Sequence, residues 1–449
     1  MRTQENTVFG PLRASGERLH AEQVRWLHVA LMAAGMVGWL VFMLACVGGP
    51  AWSPDSSKLL FAWRDGESDR YNVAVYDRAT RQSRIIFQHR SANEGSDDFN
   101  VVPAWQNDGT RAIVAMTTEV SDTHCSLLSI AIKGTEPPEV YDLGQKTVCF
   151  NPAVMPQIGT RVYIAKEGGI TWLDLSTGES GSKTITDESG FEKGNSLLGE
   201  HNGQLVYTRN VSRPGNDPEN KDATEDGTEF GQIELAGLDL KPKFTMWQND
   251  VAEWGFDGFA VWEPGGSRIA LVGTGKDTDK IHILDEKKGL TGTLMPALGG
   301  VKEYRLGSLA WSHDGRTLFA AAVTKGQGND TYDYSLAEVP LAGTPGRLTR
   351  IASFHIKKTQ PDQSHGGNAD KLDLSDFHKD NSLLSFVVSL SPDGNTIAAI
   401  PGNMGSDCQF DEADRALFLV DMRGQARRVT RIPFPKTPKA SSQPDGTAK

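Results

Sequence analysis

The chain has 449 residues, 23% charged and 38% hydrophobic, with 47 glycines and 22 prolines, a globular and turn-rich composition that is neither collagen-like nor low-complexity. Its formal net charge of −11 argues against a duplex-binding protein, which needs a basic face to displace counterions, so no nucleic-acid partner is expected. The four cysteines form no Cys-x-x-Cys and no Cys/His pair at zinc spacing, which argues against a zinc site.

In chain order, residues 1–25 form a short segment with four arginines (Arg2, Arg13, Arg18, Arg25) and three glutamates. Residues 26–49 then carry no Asp, Glu, Lys or Arg. As a helix these 24 residues span roughly 36 Å, enough for a hydrocarbon core of about 30 Å. A secretory h-region is shorter, about 7–15 residues. The arginines before the run place the N-terminus in the cytoplasm. Three readings compete: a retained transmembrane signal anchor, which leads; a lipoprotein signal ending at Met43-Leu44-Ala45-Cys46, which resembles a bacterial lipobox; and an ordinary cleaved signal. All three put the rest of the chain outside the cytoplasm, in the periplasm or at the cell surface.

From Ala51 onward one phrase recurs. It is clearest as AWSHDGRTLFAAA from Ala310, with relatives beginning at Ala51, Ala104, Ala153, Leu197, Val261 and Ser389. Each is a short strand, a tight turn and an apolar strand. The turn positions are Ser56, Gly109, Gly159, Gly203, Gly266, Gly315 and Gly394, and Asp55, Asp108, Asp314 and Asp393 precede four of them. Asp-Gly between apolar runs is a hairpin signal: Gly takes the positive φ and Asp bonds the turn backbone. A third, alternating strand follows each pair, and a weaker fourth often follows that, as in RRVTRI from Arg427, RLTRIASF from Arg347 and SRIIF from Ser83.

Four strands per unit at roughly 50-residue spacing is a β-propeller. The expected fold is all-β, a seven-bladed propeller over residues 50–436, preceded by one N-terminal transmembrane helix and followed by a disordered tail over 437–449. The third and fourth copies are degenerate, which leaves six or eight blades as alternatives. Trp52, Trp105, Trp262 and Trp311 share one slot in the innermost strand, where packing between blades explains them better than ligand stacking.

The phrases AWSPDSSKLLF and LSPDGNTIAAI, with AWSHDGRTLF beside them, resemble the WD-repeat-like propeller repeat of the TolB family of periplasmic proteins. The resemblance covers residues 50–432. It implies a propeller of the bacterial cell envelope. The family's N-terminal domain has no counterpart here, and the Gly-His and Trp-Asp dipeptides of true WD repeats are absent.

Numbering strands from the inside out, the Asp-Gly turns and the three-to-four turns share one face. The long segments 64–71, 117–124, 208–231, 323–333, 352–385 and 401–414 collect on the other, which is expected to be the functional face because irregular loops on a rigid scaffold carry binding. Two loops hold metal-type donors. One has Asp217, Glu219, Asp222, Glu225, Asp226 and Glu229 without EF-hand order. The other brings His355, His365 and His378 near Asp370, Asp373 and Asp376, with His365, Asp370, Asp373 and His378 as the candidate ligands. Solvated surface loops are the better reading of both, and no cofactor is expected. Cys125 and Cys149 are a candidate disulfide, since both lie in the extracytoplasmic part.

The chain has no Gly-x-Ser-x-Gly, no His-Glu-x-x-His and no P-loop, so no catalytic residues are assigned. The expected function is a membrane-anchored scaffold that binds a protein or another envelope component through its loop face. The alternative is a loop-built lyase or hydrolase acting on carbohydrate or peptide.

Overall fold

In the computed structural model the described residues are 49–65, 70–90, 103–118, 124–133, 136–145, 149–154, 159–166, 169–184, 197–212, 229–250, 260–273, 279–326, 331–342, 345–355, 387–400 and 416–436. They form seven four-stranded antiparallel sheets, each built from four consecutive strands. Blade 1 comprises β1 (Ala51–Trp52), β2 (Lys58–Asp65), β3 (Arg70–Asp77) and β4 (Gln82–Arg90). Blade 2 comprises β5 (Pro103–Trp105), β6 (Arg111–Thr118), β7 (His124–Ala131) and β8 (Glu139–Gln145). Blade 3 holds β9 (Cys149–Val154), β10 (Arg161–Lys166), β11 (Gly169–Asp174) and β12 (Ser180–Thr184). Blade 4 holds β13 (Leu197–His201), β14 (Gln204–Ser212), β15 (Glu229–Gly237) and β16 (Pro242–Asp250). Blade 5 consists of β17 (Ala260–Trp262), β18 (Arg268–Val272), β19 (Ile281–Asp285) and β20 (Gly289–Leu294). Blade 6 consists of β21 (Tyr304–Trp311), β22 (Thr317–Lys325), β23 (Thr331–Pro340) and β24 (Arg347–His355). Blade 7 closes the series with β25 (Val387–Leu390), β26 (Thr396–Ile400), β27 (Ala416–Asp421) and β28 (Arg428–Pro433).

The blade count is therefore seven, and the degenerate third and fourth copies are full blades. The second and third strands buried between neighbours are short apolar runs, as in β26 (Thr-Ile-Ala-Ala-Ile, buried throughout). Seven apolar clusters fill the gaps, one for each pair of neighbours. The cluster joining Leu59, Phe61 and Tyr76 of blade 1 to Ala398, Ile400 and Leu417 of blade 7 makes the ring closed.

That last seam is closed by side chains, because blades 1 and 7 are each contiguous in sequence and exchange no strand among the described residues. Phe434, just after β28, stacks on Trp63 at 5.0 Å and on Phe61 at 5.6 Å. Arg78 of blade 1 bonds Asp393 at 2.7 Å and Thr396 at 2.9 Å in blade 7.

Two sequence expectations change. The loop expected at 64–71 shrinks to 66–69, because β2 and β3 stay paired out to Asp65 and Arg70. Segments 208–231 and 323–333 shrink likewise at both ends, since β14 pairs with β15 out to Ser212 and Glu229, and β22 with β23 out to Lys325 and Tyr332. In blade 5 the positive φ falls on Gly265 (66°) and not on Gly266. Pro264 occupies the second turn position there, and Pro-Gly favours a type II turn with Gly third.

Candidate functional site

The described part of the ring offers two surfaces and a channel. The turn face is built by the repeat itself. In blades 1, 6 and 7 the Ser hydroxyl (Ser53, Ser312, Ser391) donates to Oδ1 of the Asp two residues on (Asp55, Asp314, Asp393). That same Oδ1 accepts the backbone N–H of Ser57, Arg316 or Asn395, at 3.0–3.1 Å. The Ser oxygen in turn accepts the N–H of Lys58, Thr317 or Thr396, at 2.9–3.0 Å. One hydroxyl and one carboxylate thereby satisfy the turn's backbone donors, which is the physical content of the Ser-x-Asp pair. Asp108 does the same for Thr110 without a Ser. In six blades the residue after strand three bonds back to the carbonyl before strand two, as Arg78 N to Ser57 O, so the three-to-four turns share this face.

Neighbouring turns also hold one another. Asn107 donates to the carbonyl of Gly159, at 3.2 Å. His313 Nε2 sits 3.3 Å from the Ser391 carbonyl. Arg268 grips Glu263 and reaches the Gly315 carbonyl, at 3.2 Å. Gly315 is required here: its φ is 65°, and a Cβ would lie 2.5 Å from Glu263 Oε1. Gly109 and Gly394 take the same left-handed conformation. Blade 1 departs by placing Ser56 in that conformation (φ 59°), and its hydroxyl accepts the Asp393 N–H at 3.0 Å across the ring closure. The turn face therefore satisfies many of its polar groups internally.

These bonds depress the carboxylates. The Ser53 hydroxyl, then the Ser57 N–H, holds Asp55 at about 2. The Ser176 and Thr160 hydroxyls hold Asp174 at about 2, and Arg423 holds Asp421 at about 2. Burial pushes Asp393 up, but hydrogen bonds from Ser391, Asn395 and Arg78 outweigh it and leave the group well below the usual range. The Ser312 hydroxyl lowers Asp314. Depressed carboxylates stabilise the fold above their unfolded pKa, and that contribution is lost as pH falls through the folded value. The denaturation midpoint is thus expected to decline between about pH 4 and about pH 2 through these groups, with Asp55→Asn and Asp393→Asn flattening the decline. Chemical denaturation across that range checks it, and an unchanged slope in both variants would count against the turn carboxylates.

The four tryptophans line the inner seams. Trp105 Nε1 donates to the Ala51 carbonyl at 2.7 Å, Trp311 to Val261 at 2.8 Å and Trp52 to Ser389 at 3.0 Å. Each acceptor is the residue just before the tryptophan slot of the preceding blade, so the bonds step around the channel with the repeat. Trp262, in the same slot, is half-buried. Guanidinium groups lie over two rings, Arg268 over Trp311 at 5.1 Å and Arg78 over Trp52 at 5.9 Å. Four of the seven innermost strands, β1, β5, β17 and β25, hold no titratable side chain, whereas β9, β13 and β21 carry Cys149, Glu200, His201, Tyr304 and Arg305.

The opposite face lies at the far ends of the strands. Its segments 356–386 and 401–415 fall outside the described residues, and with them His365, Asp370, Asp373, His378 and the candidate calcium loop over 213–228. Among the described residues no group of three or more His, Cys, Asp or Glu could hold a metal ion. Cys125 is fully buried and disulfide-bonded. Cys149 opens β9, but its side chain lies outside the described ones. Among the described residues no helix is long and apolar enough to cross a membrane, and residues 26–48 of the uncharged run lie outside them.

Interblade arginines were not legible as such. Arg78, Arg268 and Arg427 bridge neighbouring blades, but no motif in one chain marks a partner 47 to 318 residues away, as with Arg268 and Gly315 (47 apart) or Arg78 and Thr396 (318 apart).

No family profile matches the sequence, and no curated protein matches it. Solved structures do match. The propeller domain of the Trilobed protease from Pyrococcus furiosus is 12% identical, with 85% of this chain and 96% of that one covered and a TM-score of 0.45. The C-terminal WD40 domain of Sif2 is 12% identical, with 85% and 98% covered and a TM-score of 0.42. TolB from Acinetobacter baumannii is 16% identical, with 65% of each chain covered and a TM-score of 0.37. At these identities the likeness is one of fold alone, the propeller that the seven four-stranded sheets already establish.

Proposed function

We propose that this chain is a membrane-anchored, extracytoplasmic propeller that binds a protein or another envelope component through its loop face. The observation that carries the reading is the contrast between the two faces. The turn face closes on itself through the Ser-x-Asp circuits and the turn-to-turn bonds. The repeat leaves its long, unrepeated segments at the other ends of the strands, where a partner meets sequence that differs from blade to blade. The uncharged run over residues 26–49 supports the anchor, and the disulfide at Cys125 supports an oxidising compartment. Cys149 is the proposed partner of Cys125.

Crosslinking in intact membranes, followed by pull-down of the full chain, tests this reading. A reproducible partner is expected, and replacing residues 401–414 with a short Gly-Ser linker is expected to reduce its recovery. Non-reducing peptide mapping of the same material is expected to yield a Cys125–Cys149 peptide. Recovery of no reproducible partner overturns the scaffold reading. Free thiols at both positions overturn the pairing.

A further inference from the structure

The blades differ in charge at their outer strands. From the end of strand three through strand four, blades 1, 6 and 7 (residues 77–90, 338–355 and 421–436) hold eleven lysines and arginines against three aspartates and glutamates. The matching stretches of blades 2 to 5 (131–145, 174–184, 237–250 and 285–294) hold six against nine. Within a chain of net charge −11 this is a concentrated basic sector, and its three blades are consecutive around the ring.

Its core is a repeated phrase, Arg-x-(Ser/Thr)-Arg-Ile, at Arg81–Ile85, Arg347–Ile351 and Arg428–Ile432. Ile85 and Ile432 pack into the cluster between blades 7 and 1, and Ile351 into the one between blades 6 and 7. The six arginines of the phrase are exposed. Two of them anchor on backbone carbonyls, Arg347 on Gln425 and Arg84 on Ile132, and so keep their charge. Charged edge strands also block edge-to-edge pairing. That role accounts for charge at an edge, but not for a single sign on three adjacent blades while β20 carries no charge at all.

The described chain begins in the same sector, where Gly49 abuts Val387 of β25 at the seam between blades 7 and 1.

We propose that the rim formed by β24, β28 and β4 rests on the anionic lipid headgroups of the membrane that residues 26–49 enter. The choice of membrane rests on the anchored reading given above; the charge pattern does not. The exposed guanidiniums provide multiple donors to phosphate.

The test uses the full chain in nanodiscs of phosphatidylcholine alone and of phosphatidylcholine with about 30% phosphatidylglycerol, read by amide hydrogen exchange. Exchange in peptides covering residues 80–88, 347–353 and 426–433 is expected to slow by on the order of tenfold on the anionic discs only. The slowing should vanish in about 0.5 M NaCl and in the triple variant Arg81→Gln, Arg350→Gln, Arg428→Gln, whose fold is checked by unchanged exchange in blades 2 to 5. Equal exchange on both discs overturns the proposal. So does slowing produced by a soluble polyglutamate and not by the lipid, which assigns the rim to an acidic protein. If the chain is not retained in neutral discs, the anchored reading fails by itself. Salt-dependent flotation with phosphatidylglycerol vesicles then sustains the rim proposal, and absence of flotation overturns it.

Discussion

Replacing Trp311 with alanine is expected to destabilise the propeller by about 3–5 kcal/mol, the range for a buried Trp-to-Ala truncation. The ring is 4% exposed and sits in the cluster between blades 5 and 6, beside Leu318, Ala320 and Val339. Two further losses add to the cavity. The Val261 carbonyl loses its 2.8 Å donor, and the Arg268 guanidinium loses the ring it covers. Trp311→Phe separates the terms: it keeps most of the apolar area and removes only the indole donor to the carbonyl, so an intermediate loss is expected. Chemical denaturation of both variants is the measurement. A loss under about 1 kcal/mol for the alanine variant would show that the inner seam tolerates a void, against the packing described here.

Arg427→Ala is expected to cost a comparable amount, about 3–5 kcal/mol, as for breaking a buried ion pair by removing one partner. Arg427 and Glu338 meet across blades 6 and 7 in a bidentate pair of 2.9 and 2.8 Å, each 13% exposed. Arg427 Nη1 also donates to the carbonyls of Met422 and Gly424, both at 2.7 Å. Truncation leaves a nearly buried carboxylate and two acceptors without this donor. Replacing both partners with Met and Leu is expected to be far milder, because the desolvation cost of the pair is removed together with its attraction. A double-mutant cycle in denaturant measures the coupling; an alanine variant no worse than the apolar double replacement would refute the assignment.

Both predictions concern seams, and the seams mark where sequence reading stopped. The propeller was legible because its signal is local. Ser53 and Asp55, or Ser312 and Asp314, lie two residues apart, and the bonds they make close within five residues. The tryptophan slot was legible because it repeats. The Arg427–Glu338 pair was not, since its members are 89 residues apart and each has unrelated sequence neighbours. The extent of the strands was also hidden. Polar residues such as Asp65 and Arg70 read as loop, yet their backbones continue the ladder, since pairing of a hairpin end costs little once the rest is in register. The loop-face candidates, His365, Asp370, Asp373 and His378, belong to an insertion without a repeat to interpret it.

By itself the sequence determined the four-stranded unit, its recurrence and the segments that break it, because strand alternation, hairpin turns and periodic tryptophans are short-range properties of a chain; the degenerate third and fourth copies left the count of seven to the structure. Tertiary structure decided how the ring is closed. With no strand shared between blades 1 and 7 among the described residues, the closure seen there runs through Trp52 reaching the Ser389 carbonyl, Arg78 reaching Asp393, and Phe434 stacking on Trp63. Those contacts join residues over 300 positions apart, and they exist because seven twisted sheets packed face to face bring the first blade back against the last.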